Sequence, residues 1–345
     1  MNQRHGILLI NLGTPAAPTE GAVRSYLAEF LNDPRVIDIP AVPRAPLLYG
    51  AILPFRPRQS AHAYRKIWTP QGSPLLVAGE ALAEALRAKV QAPVVLAMRY
   101  GQPSIRAGLE SLTRAGVDVV VAAPLFPQYS SAATGSAIEK LLHEAARLYN
   151  VPAIRVVAPF YDHPAFLRAF AAGARDRLHQ FRADHVLMSF HGLPVRQVRK
   201  GDPSGAHCYR SSGCCDAVGA ANAYCYRAQC FATARGLARE LALEDGRWEV
   251  AFQSRLGRVP WIEPYADRRV VALAEAGVKR LAVACPAFVA DCLETLEEIG
   301  IRARESFLAH GGEAFELLPC PNAHPAWVDA LAQLLEETSP RSASH

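Results

Sequence analysis

Apolar and polar positions along the chain alternate in blocks. Short apolar runs at 6–12, 94–98, 117–123, 153–157, 184–190, 248–253, 279–285 and near 314–318 are too short and too apolar for amphipathic helices, and read as buried strands. Between them lie stretches with helical spacing: about 19–31, then 75–89, 104–115, 136–148, 164–180, 226–242, 265–276, 290–299 and 325–337. Thr19 is placed to cap the first of these. Strand and helix in alternation, with the strands apolar on both faces, predict parallel sheets covered by helices. The rhythm runs twice. The expected fold class is therefore α/β: two similar Rossmann-like lobes, each a parallel sheet flanked by helices, with an active-site cleft between them. The lobes are expected over 1–160 and 161–322, with a C-terminal helix and tail, 323–345, packing back on them. Residues 33–70 break the rhythm. They are rich in proline and arginine but carry Leu47, Leu48, Ile52, Leu53 and Phe55, which predicts irregular structure with short helical turns. An apolar surface flap and a strap over the core are equal readings of it. Residues from Thr338 onward read as a frayed tail.

One stretch stands out chemically. The run Val186-Leu187-Met188-Ser189-Phe190 ends in His191-Gly192-Leu193-Pro194, so the histidine sits just past the carboxyl end of a buried strand. Ligands in open α/β sheets bind at such strand ends. A lone histidine there is more often hydrogen-bonded in its loop. This one has a counterpart about a hundred residues on. The strand ending at Cys285-Pro286 leads to Asp291-Cys292-Leu293-Glu294-Thr295-Leu296. A histidine after one strand and an acidic pair after another suggest a metal or proton-transfer site.

Composition narrows the classes. The chain has 345 residues, half of them hydrophobic, and a formal charge of +5. That is enough for two domains with sizeable cores. The basic residues are scattered without an aromatic-lined patch, which argues against nucleic acid. The mild positive charge suits an acidic small molecule or weak contact with an anionic membrane. No run reaches the length of a membrane span, no signal peptide is visible, and neither GxGxxG nor a Walker A loop is present. The expected location is the cytoplasm, with peripheral contact with the inner membrane left open, as is the choice between monomer and homodimer. Thiols there are normally reduced, so the eight cysteines read as thiols or metal ligands before disulfides.

Four motifs occur in order: Ile10-Asn11-Leu12-Gly13-Thr14-Pro15; Ser189-Phe190-His191-Gly192-Leu193-Pro194; Gln253-Ser254-Arg255 with Pro260-Trp261; and Asp291-Cys292-Leu293-Glu294-Thr295-Leu296. With these the sequence resembles ferrochelatase from about residue 6 to 335. The resemblance implies a lyase of haem and porphyrin biosynthesis that inserts Fe(II), a substrate, into protoporphyrin IX with release of two protons. It assigns His191 and Glu294 to metal binding and proton transfer, and sets Arg56, Ser73, Arg99, Tyr100, Tyr129 and Trp261 along the macrocycle pocket. Some relatives have a histidine where this chain has Cys292. The chemistry agrees: a neutral imidazole suits proton acceptance near neutral pH, and a carboxylate can strip water from Fe(II). Two ligands with positions left for water suit an ion that must be released. Rival readings are a chelatase for coproporphyrin or cobalt, and a carrier that binds haem or metal without turnover.

Cys208, Cys214, Cys215, Cys225 and Cys230 crowd an insert near 204–230. Soft sulfur ligands at this density select an iron–sulfur cluster or zinc, and four suffice for [2Fe–2S]. Some members of the resembling family carry such a cluster on an internal segment. The order of expectation is [2Fe–2S], structural zinc, free thiols. One cysteine is surplus, and Cys214 or Cys215 is the one to drop, since adjacent thiolates rarely both bind. Cys285, Cys292 and Cys320 read as core thiols.

Overall fold

A computed structural model describes residues 4–257 and 259–339. It divides into two compact units: residues up to Phe126, Ser131–Ala158 and from Val328 onward form the first, Pro127–Ser130 and Pro159–Trp327 the second. Of the expected C-terminal tail, 340–345 lie outside the described residues.

Each unit is built on a four-stranded sheet. The first contains β1 (His5–Gly13), β2 (Val94–Tyr100), β3 (Val119–Pro124) and β4 (Ala153–Val156), in the spatial order β2-β1-β3-β4. The second contains β5 (His185–His191), β6 (Trp248–Gln253), β7 (Arg280–Ala284) and β8 (Ala314–Leu317), in the order β6-β5-β7-β8. Every pairing is parallel. The two halves thus repeat one topology, as the doubled rhythm predicts. In each, the strand order reverses beside the first strand, leaving a crevice at the strand ends.

The apolar runs do what their composition requires. Leu8, Ile10, Leu109, Val120 and Leu141 pack into one core cluster. Leu187, Val270, Leu281, Val283 and Phe307 pack into another. Each such side chain contributes about 1.5–3 kcal/mol on burial. Gly13 ends β1 with φ +119°, where an added Cβ would lie 2.0 Å from the Tyr100 carbonyl oxygen. No other residue type fits there without moving the neighbouring strand.

Thr19 caps the first helix, Glu20–Asn32, its hydroxyl accepting from the Ala22 N–H at 3.4 Å. Segment 33–70 is more regular than expected. It holds a short helix, Ala41–Pro46, a π-helical turn, Leu47–Ile52, and a twelve-residue helix, Arg56–Ile67. Pro57 starts that last helix where its missing N–H costs nothing. Pro57, Ala61 and Tyr64 form its buried stripe, which Arg, Gln, His and Lys between them hide in the sequence. Val42, Tyr49 and Phe55 stay exposed. Among the described residues no helix is long and apolar enough to cross a membrane.

Candidate functional site

The second unit brings its candidate residues to the carboxyl ends of β5, β6 and β7. His191 is the last residue of β5, half-buried after six fully buried positions. Its Nδ1 lies 2.6 Å from the Gly192 carbonyl oxygen. A carbonyl only accepts, so Nδ1 carries a proton and, in the neutral ring, Nε2 keeps its lone pair. The Phe288 ring, from the loop after β7, stands edge-on to the imidazole at 6.5 Å between centroids. The peptide that follows His191 is clamped from two sides. The Tyr226 hydroxyl donates to the His191 carbonyl at 2.9 Å, and the Gly192 N–H donates to the Gln253 carbonyl at 2.8 Å. A Cβ at Gly192 would come within 2.8 Å of that same Gln253 oxygen, so the close approach needs glycine.

Glu294 opens a ten-residue π-helix, Glu294–Ala303. Sequence periodicity predicts an ordinary helix over 290–299; the wider coil starts later and runs on. Such coils are rare and concentrate at functional sites. Two neighbouring residues of the Gln253-Ser254-Arg255 motif hold it. The buried Gln253 carboxamide donates to the Glu294 carbonyl at 2.8 Å and accepts from the Ser189 hydroxyl at 2.7 Å. Ser254, with φ at 66°, gives its N–H and hydroxyl to the Glu298 carboxylate at 2.8 and 2.5 Å. Gln253 is also the register partner of His191 on β6. One buried side chain therefore joins the strand that carries the histidine to the coil that carries the glutamate.

The acidic partner Asp291 is committed to structure. Its carboxylate accepts from Thr295 at 3.1 Å and Asn322 at 2.7 Å. Cys292 is buried, and burial, then the nearby Glu294 charge, push its thiol well up. Its thiol lies within electrostatic reach of the Glu294 carboxylate. Where a histidine would offer a second base, this chain offers a weak donor.

The remaining expected pocket residues divide between the units. In the second, Trp261 bridges Pro194 in the His191 loop and donates its indole N–H to the Leu256 carbonyl at 2.8 Å. Tyr129 packs edge-on to Tyr224 at 5.0 Å, and its N–H donates to Gln229 at 2.6 Å. In the first, Arg56 is exposed at the start of its helix. Ser73 is buried and accepts from the Thr14 hydroxyl at 2.8 Å. Arg99 and Tyr100 are turned into the core. Both donate to Oδ2 of the buried Asp33, at 2.5 and 2.8 Å, with Ser136 at 2.5 Å on the same oxygen. Tyr100 has no exposed surface, so its ring offers a ligand no face, contrary to its expected place along a pocket. The cause is Asp33: a buried carboxylate must be saturated with donors, and these two residues supply them.

The cysteine insert is a separate pocket of the second unit. Asp202 accepts from the N–H groups of Ser204, His207 and Cys208, and Asn222 donates to the Cys214 and Ala217 carbonyls. These bonds fold the loop so that its thiols face one another. The Cys214 and Cys215 sulfurs are 3.7 Å apart. Interaction between the Cys215 and Cys225 thiols lowers Cys225 and, with burial, raises Cys215. Burial, then the Cys214 and Cys215 charges, push Cys208 up to about 11. The Tyr209 hydroxyl, within electrostatic reach of these sulfurs, is buried without a partner. Cys230 stands one turn along the helix Tyr226–Glu240 and is fully buried, which pushes its thiol well up. Cys230 thus lies inside the helix, outside the loop that carries Cys208, Cys214 and Cys215. The donor chemistry, four thiols in or beside one loop, is of the kind that holds a soft metal group. Among the described residues, no three His, Cys, Asp or Glu side chains converge on a single point as they stand.

Sequence reasoning passed over Gln253, Tyr226 and Glu298. For Gln253 a signal existed: a polar residue closing the apolar run Val250-Ala251-Phe252, as His191 closes its own.

Comparison with known proteins shows the family. The Ferrochelatase family model matches residues 4–339. A ferrochelatase of Azotobacter vinelandii is 51% identical over 332 residues, covering 96% of this chain and 98% of that protein. One from Coxiella burnetii is 45% identical over 339 residues, covering 98% and 94%. Among solved structures, the sirohydrochlorin chelatase SirB of Bacillus subtilis subspecies spizizenii, in complex with cobalt, shares the fold. The TM-score is 0.55 at 12% identity, over 97% of this chain and 95% of that one. With a match that spans nearly its whole length, this chain belongs to the ferrochelatase family.

Proposed function

We infer that the chain inserts Fe(II) into protoporphyrin IX to give haem b, with His191 and Glu294 as the working pair. The observation that carries this reading, within the family, is the tie between the two. They leave different strands, and the buried Gln253 fixes both backbones.

A free-base porphyrin has two inner N–H protons, and both must leave as the metal enters. The His191 Nε2, kept free by the Nδ1 bond to Gly192, is the acceptor at the ring centre. The Glu294 carboxylate replaces water on the incoming ion and passes protons outward. Cys292, protonated beside it, steadies the carboxylate without competing for metal. Neither group forms a closed cage, so the product can depart. The same logic favours an enzyme over a carrier, which needs no base at the ring centre.

The test is a pair of substitutions. His191→Ala and Glu294→Gln should each lower turnover at least a hundredfold, the scale of a lost acid–base group. Porphyrin affinity, read by fluorescence quenching, should stay within a few-fold. Near-normal insertion by either variant would move the chemistry elsewhere.

The insert carries a second, finer reading. Cys208, Cys214, Cys215 and Cys225 would hold a [2Fe–2S] centre, with Cys230 outside it; structural zinc is the alternative. Metal insertion into a porphyrin transfers no electron, so such a centre would serve structure or sensing.

A further inference from the structure

The cysteine pocket and the His191 site meet at one residue. Tyr226 directly follows Cys225 and opens the helix Tyr226–Glu240. Its ring is buried, and its hydroxyl donates to the His191 carbonyl at 2.9 Å. The Cys230 thiol lies within electrostatic reach of the same hydroxyl. On its other side, the Cys225 N–H donates to the Asn222 carbonyl at 2.8 Å, and Asn222 in turn holds the Cys214 carbonyl at 3.1 Å. Cys225 and Arg227, the chain neighbours of Tyr226, both lie within electrostatic reach of the Cys215 thiol. The insert thus holds the backbone immediately before Tyr226 through Asn222, and its thiols lie beside the side chains on either side of it.

What Tyr226 holds matters for the imidazole. The His191–Gly192 peptide is pinned at its oxygen by Tyr226 and at its N–H by Gln253. The next carbonyl along, that of Gly192, is the one that Nδ1 binds. Freeing the first peptide lets the second turn, and with it the bond that keeps the proton on Nδ1 and the lone pair on Nε2. A hydrogen bond to a histidine's second nitrogen is what sets its tautomer and aim.

We propose that Tyr226 is a positioning residue that couples the cysteine pocket to His191, so that a change at Cys225 reaches the reacting imidazole through the Tyr226–His191 hydrogen bond. The proposal rests on His191 being the base. It also gives the insert, which metal insertion does not itself require, a way to act on the reaction.

A double-mutant cycle on the full-length protein tests it, with wild type, Tyr226→Phe, Cys225→Ser and the double variant. Each is assayed for Fe(II) insertion, and the imidazole nitrogens of His191 are read by long-range proton–nitrogen NMR. Coupling predicts that each single substitution lowers kcat about three- to tenfold, the scale of one hydrogen bond. The porphyrin KM should stay within twofold, because nothing that grips the macrocycle has changed. The double variant should be no worse than Tyr226→Phe alone. The His191 spectrum should move from one tautomer toward a mixture in all three variants. Losses that multiply in the double variant, or a Tyr226→Phe protein with wild-type kcat and imidazole spectrum, would overturn the coupling. If Cys225→Ser does not fold, Cys208→Ser, at the half-exposed rim of the pocket, takes its place in the cycle. A wild-type protein that inserts no metal would sink the activity itself; wild-type activity with independent losses would sink only the coupling.

Discussion

The Asp33 carboxylate shows how the residues of the first unit divide between structure and ligand. Burial alone would raise its pKa. Hydrogen bonds from Ser136, the Arg35 N–H and Tyr100, and then the Arg99 charge, hold it below the usual carboxylate range. An unfolded aspartate titrates near about 4. Because the folded value lies lower, the stabilisation is present in full above about pH 4 and is lost as pH falls through the folded value. Asp33→Asn should therefore cost about 3–5 kcal/mol at pH 7, as for removal of one partner of a buried ion pair. The deficit should shrink in unfolding experiments near pH 3. A deficit that does not change with pH would mean that the carboxylate is not ionised in the fold. Arg99 and Tyr100 look in the sequence like free cationic and aromatic groups suited to propionates and a macrocycle. Their partner lies more than sixty residues away, and single-residue chemistry does not reveal it.

At the scale of elements, strand ends are legible and the shapes of coils are not. The sequence places His191 and Glu294 after apolar runs, and the structure sets them at the end of β5 and after β7, on the side of a parallel sheet where ligands bind. The π-helix could not, because the same side chains would make an acceptable α-helix. Its wide turn is held by tertiary bonds, Gln253 to the Glu294 carbonyl and Ser254 to the Glu298 carboxylate. Gln253 itself gains its meaning from sheet register opposite His191, a pairing across 62 residues that composition does not encode. The helix Arg56–Ile67 was hidden for another reason: its buried stripe consists of Pro57, Ala61 and Tyr64, which score weakly as apolar. In the insert, spacing shows the crowding of thiols but not their elements: the helix start at Tyr226 places Cys230 inside a helix and the others before it. The purified protein should show broad visible absorption that dithionite bleaches, with about two iron atoms per chain. A colourless protein with stoichiometric zinc would replace the cluster reading with structural zinc.

For the molecule as a whole, the doubled strand–helix rhythm predicts two similar lobes, and the two sheets share one strand order. Only the second unit carries the histidine and glutamate at its strand-order reversal. The first places Gly13 and the buried Thr14–Ser73 pair after the corresponding strand. The two sheets share an order but not the residues at their strand ends, in keeping with function residing in the site and not in the architecture. The central claim is catalytic metal insertion, and the most direct measurement is an anaerobic assay of the purified protein with protoporphyrin IX and Fe(II), followed by the visible spectrum of the product. The account predicts haem formed over many turnovers per protein molecule. Haem or porphyrin bound one to one, with no further product on longer incubation, would contradict it and leave a carrier in its place.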